Sequence, residues 1–230
     1  MIMTIDRAKA RAKTLRGALA GMTHEVSHSQ ALDLVAQMEG LRDWNTLSAR
    51  LAPEVQIGPL PQGWMRSGDQ PERFEMGVAR RGDQRAAAIR LKPGEDRGSA
   101  FGTLMQMVDA VAYRGRRVAL EGDLAADEVT GGLTIWLRAD AADKQVLAFD
   151  NLESAAAGAG PITGDADWTH RRVVLDIPED AAALNYGFYL RGGGTAWCRG
   201  LSLRVVEEDV EVTAESGVQL AAPQNLDFSA

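Results

Sequence analysis

Cysteine is almost missing from this chain of 230 residues: Cys198 is the one present. A single thiol cannot close an intramolecular disulfide, which fits a reducing compartment and an expected cytoplasmic location. Histidine is scarce as well, with three residues in all. His24 and His28 stand four apart, but Ser27 reads as a helix cap between them and no third ligand is evident nearby, so neither a metal site nor a cofactor is expected. There is no run of about 18 apolar residues to span a membrane, and the basic start is not followed by the apolar stretch of a secretory signal. Positive charge is in deficit. The net charge is −7, made of +2 in the first fifty residues and −9 in the remainder. Such an acidic bulk repels nucleic acid and anionic membranes, so nucleic-acid binding is not expected outside the first helix.

What is present suits a globular protein of one or two domains. Hydrophobic residues make up 45% and charged residues 25%, enough to supply a core. In the first fifty residues the apolar spacing is helical. Ile5, Ala8, Ala12, Leu15 and Leu19 form one stripe, with Lys9, Lys13 and Arg16 on the far side. Thr4 is placed to cap this helix and Gly21 to end it. Ser27-His28-Ser29-Gln30 has the pattern of a capping box opening a second helix, with Ala31, Leu34, Val35 and Met38 at helical spacing and Gly40 as its stop. Asp43 is placed to cap a third helix carrying Trp44, Leu47 and Leu51. Leu15, Leu34, Trp44 and Leu47 are the expected core. Fifty residues make a thin core, so the module is expected to lean on a protein partner or a second copy of itself. Helix, glycine turn and helix also describe a DNA-reading motif. Here the third helix has one cation, Arg50, and a tryptophan suited to the core, which favours packing. Lys9, Arg11, Lys13 and Arg16 are the candidates for contact with a partner or nucleic acid.

From Gly63 the apolar pattern alternates with period two. Short runs at 74–78, 85–91, 117–124, 133–139, 146–150, 171–177, 184–190 and 195–206 end at glycine or proline turns. Eight to ten such strands predict a sandwich or barrel. Residues 102–113 have helical spacing at Leu104, Met107, Val108 and Val111, though a bulged strand fits them too. Residues 154–167 read as a loop. Arg191-Gly192-Gly193-Gly194-Thr195 reads as a hairpin turn rather than a phosphate cradle, because no helix or Lys-Ser/Thr pattern follows. The boundaries expected are a helical module at 1–52, a linker or arm at 53–62, the sandwich at 63–207, and a final strand or arm at 208–230, for which Val210, Val212, Val218 and Leu220 are the candidate apolar positions.

Two resemblances follow from these residues. Gly63-Trp64 with Gly68, Phe101-Gly102-Thr103-Leu104-Met105-Gln106, Tyr113-Arg114-Gly115-Arg116-Arg117-Val118, Trp136-Leu137-Arg138, Phe149-Asp150-Asn151, Asp167-Trp168, Val174-Leu175-Asp176-Ile177-Pro178, Gly187 and Trp197 stand in consistent order over about 145 residues. They resemble a bacterial jelly-roll family of carbohydrate-binding-module-like shape, found alone or joined to other domains, DNA-binding regulators among them. Ser27-His28-Ser29-Gln30-Ala31-Leu32 and Arg42-Asp43-Trp44-Asn45-Thr46-Leu47-Ser48-Ala49 resemble the glyoxalase-related domain, a label that implies neither that fold nor that activity. The resemblance implies a mainly β protein, a jelly-roll-like antiparallel β-sandwich preceded by a small three-helix bundle. It departs at Cys198-Arg199-Gly200, where acidic residues are anticipated.

Catalysis finds little to work with. Glyoxalase chemistry needs a metal held by His and Glu, and His170 alone is outside the helical module. Glycosidase chemistry needs two carboxylates across a cleft. Asp150, Asp165, Asp167 and Asp176 are present, the middle two in a predicted loop. Cys198 reads as an inert strand-interior thiol, and no nucleophile–base set is visible. The expectation is therefore a non-enzymatic binding or regulatory protein, with a small molecule, glycan or protein partner held on the sandwich; the alternatives are a DNA-associated transcriptional regulator using the basic N-terminal helices and an enzyme with an unrecognised carboxylate site. A flat ring can stack on a sugar face, and Trp64, Trp136, Trp168, Trp197, Tyr113, Tyr186 and Tyr189 are the rings available. Strand tryptophans usually belong to the core. Trp64 and Trp168, at expected strand starts, are the better ligand candidates, joined by Tyr113, Asp150 and Asn151.

Overall fold

A computed structural model describes residues 5–22, 24–51, 55–95, 98–154 and 159–213. The chain forms two compact units, Met1–Gln56 and Ile57–Ala230.

The first unit holds α1 (Ile5–Gly21), α2 (His28–Met38) and α3 (Trp44–Leu51). The capping box is present. Gln30 N–H donates to Ser27 Oγ at 3.2 Å, and Ser27 N–H donates to Gln30 Oε1 at 2.8 Å. Two aspartates open α3. Asp43 Oδ1 accepts from Thr46 N–H, and Asp33 Oδ1 accepts from Trp44 N–H, both at 2.9 Å. The hydrogen bonds from Thr46 to Asp43 hold that carboxyl down at about 2. Ala8, Ala12, Ala31, Leu32, Val35, Ala36 and Leu47 are the sealed core. Leu34 is not part of it. It is 36% exposed, as Met38 is also exposed, while Leu32 takes the inner place. The apolar surface of α2 is wider than its two neighbours cover, and periodicity alone does not say which edge is left open. The Thr4 cap lies outside the described residues.

The second unit is an antiparallel sheet of nine strands: β1 (Met65–Asp69), β2 (Phe74–Arg81), β3 (Gln84–Leu91), β4 (Phe101–Asp109), β5 (Arg117–Asp140), β6 (Val146–Asp150), β7 (Ile162–Asp176), β8 (Ala183–Arg191) and β9 (Thr195–Val205). Strand β5 is 24 residues long and serves two layers. Its first half lies between β9 and β7, in the order β2-β3-β9-β5-β7. Its second half lies between β8 and β6, in the order β1-β4-β8-β5-β6. Inner faces meet in one core that includes Ile89, Leu104, Leu120, Leu124, Ile135 and Phe188, all with no exposed surface.

Three local expectations change. Residues 101–109 are strand, because Gly102 and Leu104 face inward while Phe101, Thr103 and Met105 line the outer face, which is period two. Trp168 stands inside β7 rather than at a strand start, and Asp165 and Asp167 are strand residues too. The glycine-rich stretch 192–194 is no hairpin turn. Strands β8 and β9 pair with other strands and not with each other, so this stretch carries the chain between layers.

The described residues that flank the strands are tied down at both ends. Gly58 N–H donates to Val78 O at 2.8 Å and Val78 N–H to Pro59 O at 3.3 Å, so the latter part of the 53–62 stretch covers the free edge of β2. Thr213 N–H donates to Val174 O at 3.0 Å and Val174 N–H to Thr213 Oγ1 at 2.8 Å, along β7. Val210 and Val212 follow the last strand without forming one. Val218 and Leu220 lie outside the described residues.

Replacing Ser27 with Ala removes one half of the capping box. It should lower the stability of the helical unit by about 1 kcal/mol and leave the sheet unit unchanged. Amide exchange read separately on the two units checks this. Gly187 pairs with Met105 and Trp136 where β4, β8 and β5 lie side by side, and a Cβ there would run into the Leu104 carbonyl oxygen. Gly187→Ala should cost roughly 1–3 kcal/mol in urea unfolding, as overpacking does.

Candidate functional site

The outer face of the β1-β4-β8-β5-β6 layer carries a groove of about 400 Å³. Strand register fixes its rows. Phe101 stands opposite Arg191, and Thr103 opposite Tyr189. Met65, Met105, Gly187 and Trp136 form the next row, and Met107, Asn185, Arg138 and Phe149 the one after. Asn151, held through its carbonyl by Thr134 Oγ1 at 3.0 Å, closes one side.

Hydrogen bonds lock the floor. Trp136 Nε1–H donates to Thr103 Oγ1 at 2.9 Å, and that hydroxyl donates to the Phe188 carbonyl at 2.9 Å. Tyr189 O–H donates to Glu153 Oε1 at 2.6 Å, while Arg191 pairs with the same oxygen at 2.6 Å and lies 5.5 Å over the Tyr189 ring. Burial, followed by this bond to a carboxylate, drives the Tyr189 hydroxyl well above the ordinary phenol range. The same hydroxyl, with Arg191, draws the Glu153 carboxyl below its usual range. At the other end Arg138 and Asn185 both donate to Asp140 Oδ2 at 2.8 Å.

Of the residues singled out from the sequence, the structure places Asn151 in this groove. Asp150, its neighbour, uses Oδ1 to accept from Leu152 N–H and does not line the groove. Trp64 stands edge-on to Tyr186, with centroids 6.4 Å apart, and packs with Tyr113 against the core. Both rings are partly buried, and neither lines the groove. Trp168 lies on the opposite layer, with the Arg199 guanidinium 4.2 Å and the Arg81 guanidinium 5.5 Å from its ring centre. Arg199, standing where the resemblance anticipates an acid, is thus the cation stacked on Trp168. Arg81 in turn pairs with Asp127 and Asp167, and Trp197 Nε1–H donates to Asp127 at 2.7 Å. Asp176 is paired with Arg117. Lys9, Arg11, Lys13 and Arg16 all sit on α1, where Arg11 pairs with Glu39 at 2.9 Å. A depression of about 640 Å³ runs between α1 and α2, walled by Ala10, Leu15, Ala18, Val35 and Met38.

Reading along the sequence missed Phe101, Met105, Arg138, Phe149 and Arg191 as groove residues. The signal available was the parity of residues 101–105, apolar on both faces of one strand, which marks a strand whose outer face is not plain solvent surface. Among the described residues no group of three His, Cys, Asp or Glu is placed to hold a metal ion, and no helix is long and apolar enough to cross a membrane.

Fold and groove together define a class: a three-helix unit followed by an antiparallel β-sandwich with a lined groove on one outer face. Comparison with known proteins meets both parts. Residues 1–72 match the family described as Glyoxalase superfamily protein. Over 172 residues the chain is 34% identical to the uncharacterized HTH-type transcriptional regulator YbfP of Bacillus subtilis (strain 168), covering 73% of this chain and 56% of that protein. The chain therefore spans little more than half the length of that relative. Among solved structures it is similar to TmCBM61 in complex with β-1,4-galactotriose (14% identity, TM-score 0.40, 63% of this chain and 90% of that one). It is also similar to the CBM22-1 xylan-binding domain of Paenibacillus barcinonensis Xyn10C (14%, 0.44, 68% and 98%).

Cys198 is buried in β9, and burial, with the charge of Asp123, pushes its thiol from 9.0 up to about 12. In the folded chain at pH 8, a maleimide should label it only as fast as the sheet opens. The unfolded thiol ionises first, so this group's contribution is intact below about pH 9 and falls away between 9 and 12. Labelling rates and urea midpoints across that range check both statements.

Proposed function

We propose that this is a binding and regulatory protein rather than an enzyme. The sheet unit holds a small ligand, of the small-molecule or glycan kind, in the groove of its outer face, and the helical unit docks a protein partner. The observation that carries this reading is the groove itself. It joins apolar and aromatic walls to a few fixed polar groups, the usual make-up of a ligand site. The carboxylates weighed for catalysis support binding over chemistry. Asp150, Asp167 and Asp176 are engaged elsewhere, and none lines the groove. The regulatory setting is supported by the relative named a transcriptional regulator. The 172 matched residues exceed the 56 of the helical unit, so most of them fall on the sheet unit. In this reading the sheet unit is a sensing part, and the cytoplasm is where it works.

Docking by the helical unit is supported by the open apolar edge of α2 and by the basic side of α1. Reading of DNA by α3 gains less. Leu47 and Ser48 are buried, and the exposed side offers Asn45, Thr46 and Arg50 with a single cation. Duplex binding that weakens steeply with salt and disappears when Lys9, Arg11, Lys13 and Arg16 are changed to Ala would transfer the docking role to nucleic acid.

Thermal unfolding against a library of metabolites and oligosaccharides tests the groove. A true ligand at 100 times its Kd should stabilise the sheet unit by about 2.7 kcal/mol. Phe149→Ala, on the groove wall, should abolish most of that shift while leaving the ligand-free melting point within a degree or two. Compounds that stabilise both proteins equally would remove the groove from the reading.

A further inference from the structure

The chemistry of the groove's occupant is set by what its walls leave open, an inference that rests on reading the groove as a binding site. A sugar ring needs an open aromatic plane and polar groups with capacity to spare. The two large rings of the floor offer neither. Trp136 is 8% exposed and Tyr189 is 6% exposed. The Trp136 N–H is committed to Thr103 and the Tyr189 hydroxyl to Glu153. Each of the groove's two guanidiniums is already faced by a carboxylate, Arg138 by Asp140 and Arg191 by Glu153. A charged ligand would meet a guanidinium whose charge is already offset by its carboxylate. Soft apolar side chains are also exposed on this face: Phe149, in the groove, at 47%, and Met65 and Met107, in the register rows of its floor, at 41% and 56%. Met105 stands between the two other methionines, opposite Met65 and two residues from Met107 on β4. Gly187 lies between Met105 and Trp136 in the strand register, where the β4 backbone comes too close for any side chain. Thioether side chains are flexible and polarisable, and they mould to apolar shapes and to ring edges.

We infer that the groove takes an uncharged, mainly apolar small molecule with an aromatic or branched aliphatic body, and not a sugar chain. The volume of about 400 Å³ suits such a ligand, at the small end of known sites. Its body lies across Met105 and Trp136, with Phe149 on the far side, and the Arg–carboxylate pairs stay closed at the two ends.

The test is methionine-methyl NMR on the full chain labelled with carbon-13. Met65, Met105 and Met107 report the groove face, Met76 reports the sealed core, and Met22 and Met38 report the helical unit. The probes are N-phenyl-1-naphthylamine, which is uncharged and apolar, 2-naphthoate as its anionic counterpart, and xylotetraose and β-1,4-galactotriose as sugar chains. The uncharged probe should shift Met105 and Met65 saturably with Met76, Met22 and Met38 still. The naphthoate should bind roughly tenfold more weakly or worse, a difference of about 1.4 kcal/mol, and the sugars should move nothing. Met105→Gln, and separately Phe149→Ser, should each weaken the uncharged probe about tenfold while the Met76 methyl keeps its position, which shows the fold intact. Groove methyls that answer to a sugar chain and not to the naphthylamine overturn the ligand class and keep the groove as a site. Tighter binding of the naphthoate overturns it too. Groove methyls silent to every probe at millimolar concentration overturn this inference and the groove reading together.

Discussion

Strand β5 belongs to both layers of the sandwich, and the chain has to turn it from one to the other without abandoning its hydrogen bonds. The turn falls at residues 128–132. Glu128 takes a positive φ of 55°, Gly132 takes 152°, and the pairing register with β7 shifts three times between Leu124 and Leu133. The second crossing, from β8 to β9, is placed against the first. Thr130 N–H donates to Gly193 O at 3.1 Å, and Gly193 N–H donates to Thr130 Oγ1 at 2.8 Å. A Cβ at Gly194 would meet the Glu128 backbone, so the close approach requires glycine there. Two crossings bonded to each other leave the layers one way to face. The groove inherits its shape from this, because the rows of its floor are rows of β8 and of the second half of β5.

The two outer faces of the sandwich then differ in kind. On the layer holding the first half of β5, acids and bases alternate across strands and pair off. Glu121 accepts from Arg172 and Arg204, and the hydrogen bond from Arg204 leads in pulling its carboxyl below the usual range. Asp123 faces Arg199 and His170. Exposed pairs of this sort add about 0–1 kcal/mol each. Their effect is to occupy the surface: Arg81 and Arg199 bracket Trp168, and Trp197 is sealed at 1% exposure. On the other layer, among the described residues, ion pairs stand at the ends of the groove, Arg138 with Asp140 and Arg191 with Glu153, and methionine and phenylalanine face out between them. Several of the acids beyond residue 50 are thus paired with arginines on one face, while the opposite face exposes apolar side chains.

How much of this the sequence disclosed follows from how local each feature is. The capping box needs four consecutive residues, Ser27 to Gln30, and it is where the spacing puts it. Most strand positions from 117 onward were legible because alternation is a local property, but the middle of β5 and the start of β7, with its polar Asp165 and Asp167, lack that alternation and were not. Residues 102–113 were ambiguous, since Leu104 and Val108 satisfy a helical period as well as Leu104 and Met76 satisfy a core. Leu34 was assigned inward because periodicity gives the width of an apolar stripe and not the side its neighbours cover. The groove was the least legible part. Its walls come from β1, β4, β8, β5 and β6, which are brought side by side by pairings up to about a hundred residues apart in the chain. Asn151 was found through the resemblance. Trp64 and Tyr113 were drawn in by ring type, and ring type does not say how a side chain in the loop before β1 or the turn after β4 packs.

The floor of the groove is also the roof of the core. Gly102 and Leu104 look inward from the strand on which Thr103 and Met105 look outward, and the Trp136 to Thr103 to Phe188 relay ties an outer ring to the backbone of an inner residue. A ligand pressed onto Met105 and Trp136 therefore meets atoms whose positions are set by close packing, which resists small displacements. What it can shift are the groups at the margin: Phe149 on the short strand β6, and the Arg191–Glu153 pair beside the 192–194 crossing. Any signal from an occupied groove has to leave by one of those two routes. The second leads, through Gly193 and Thr130, to the corner on which both layers depend.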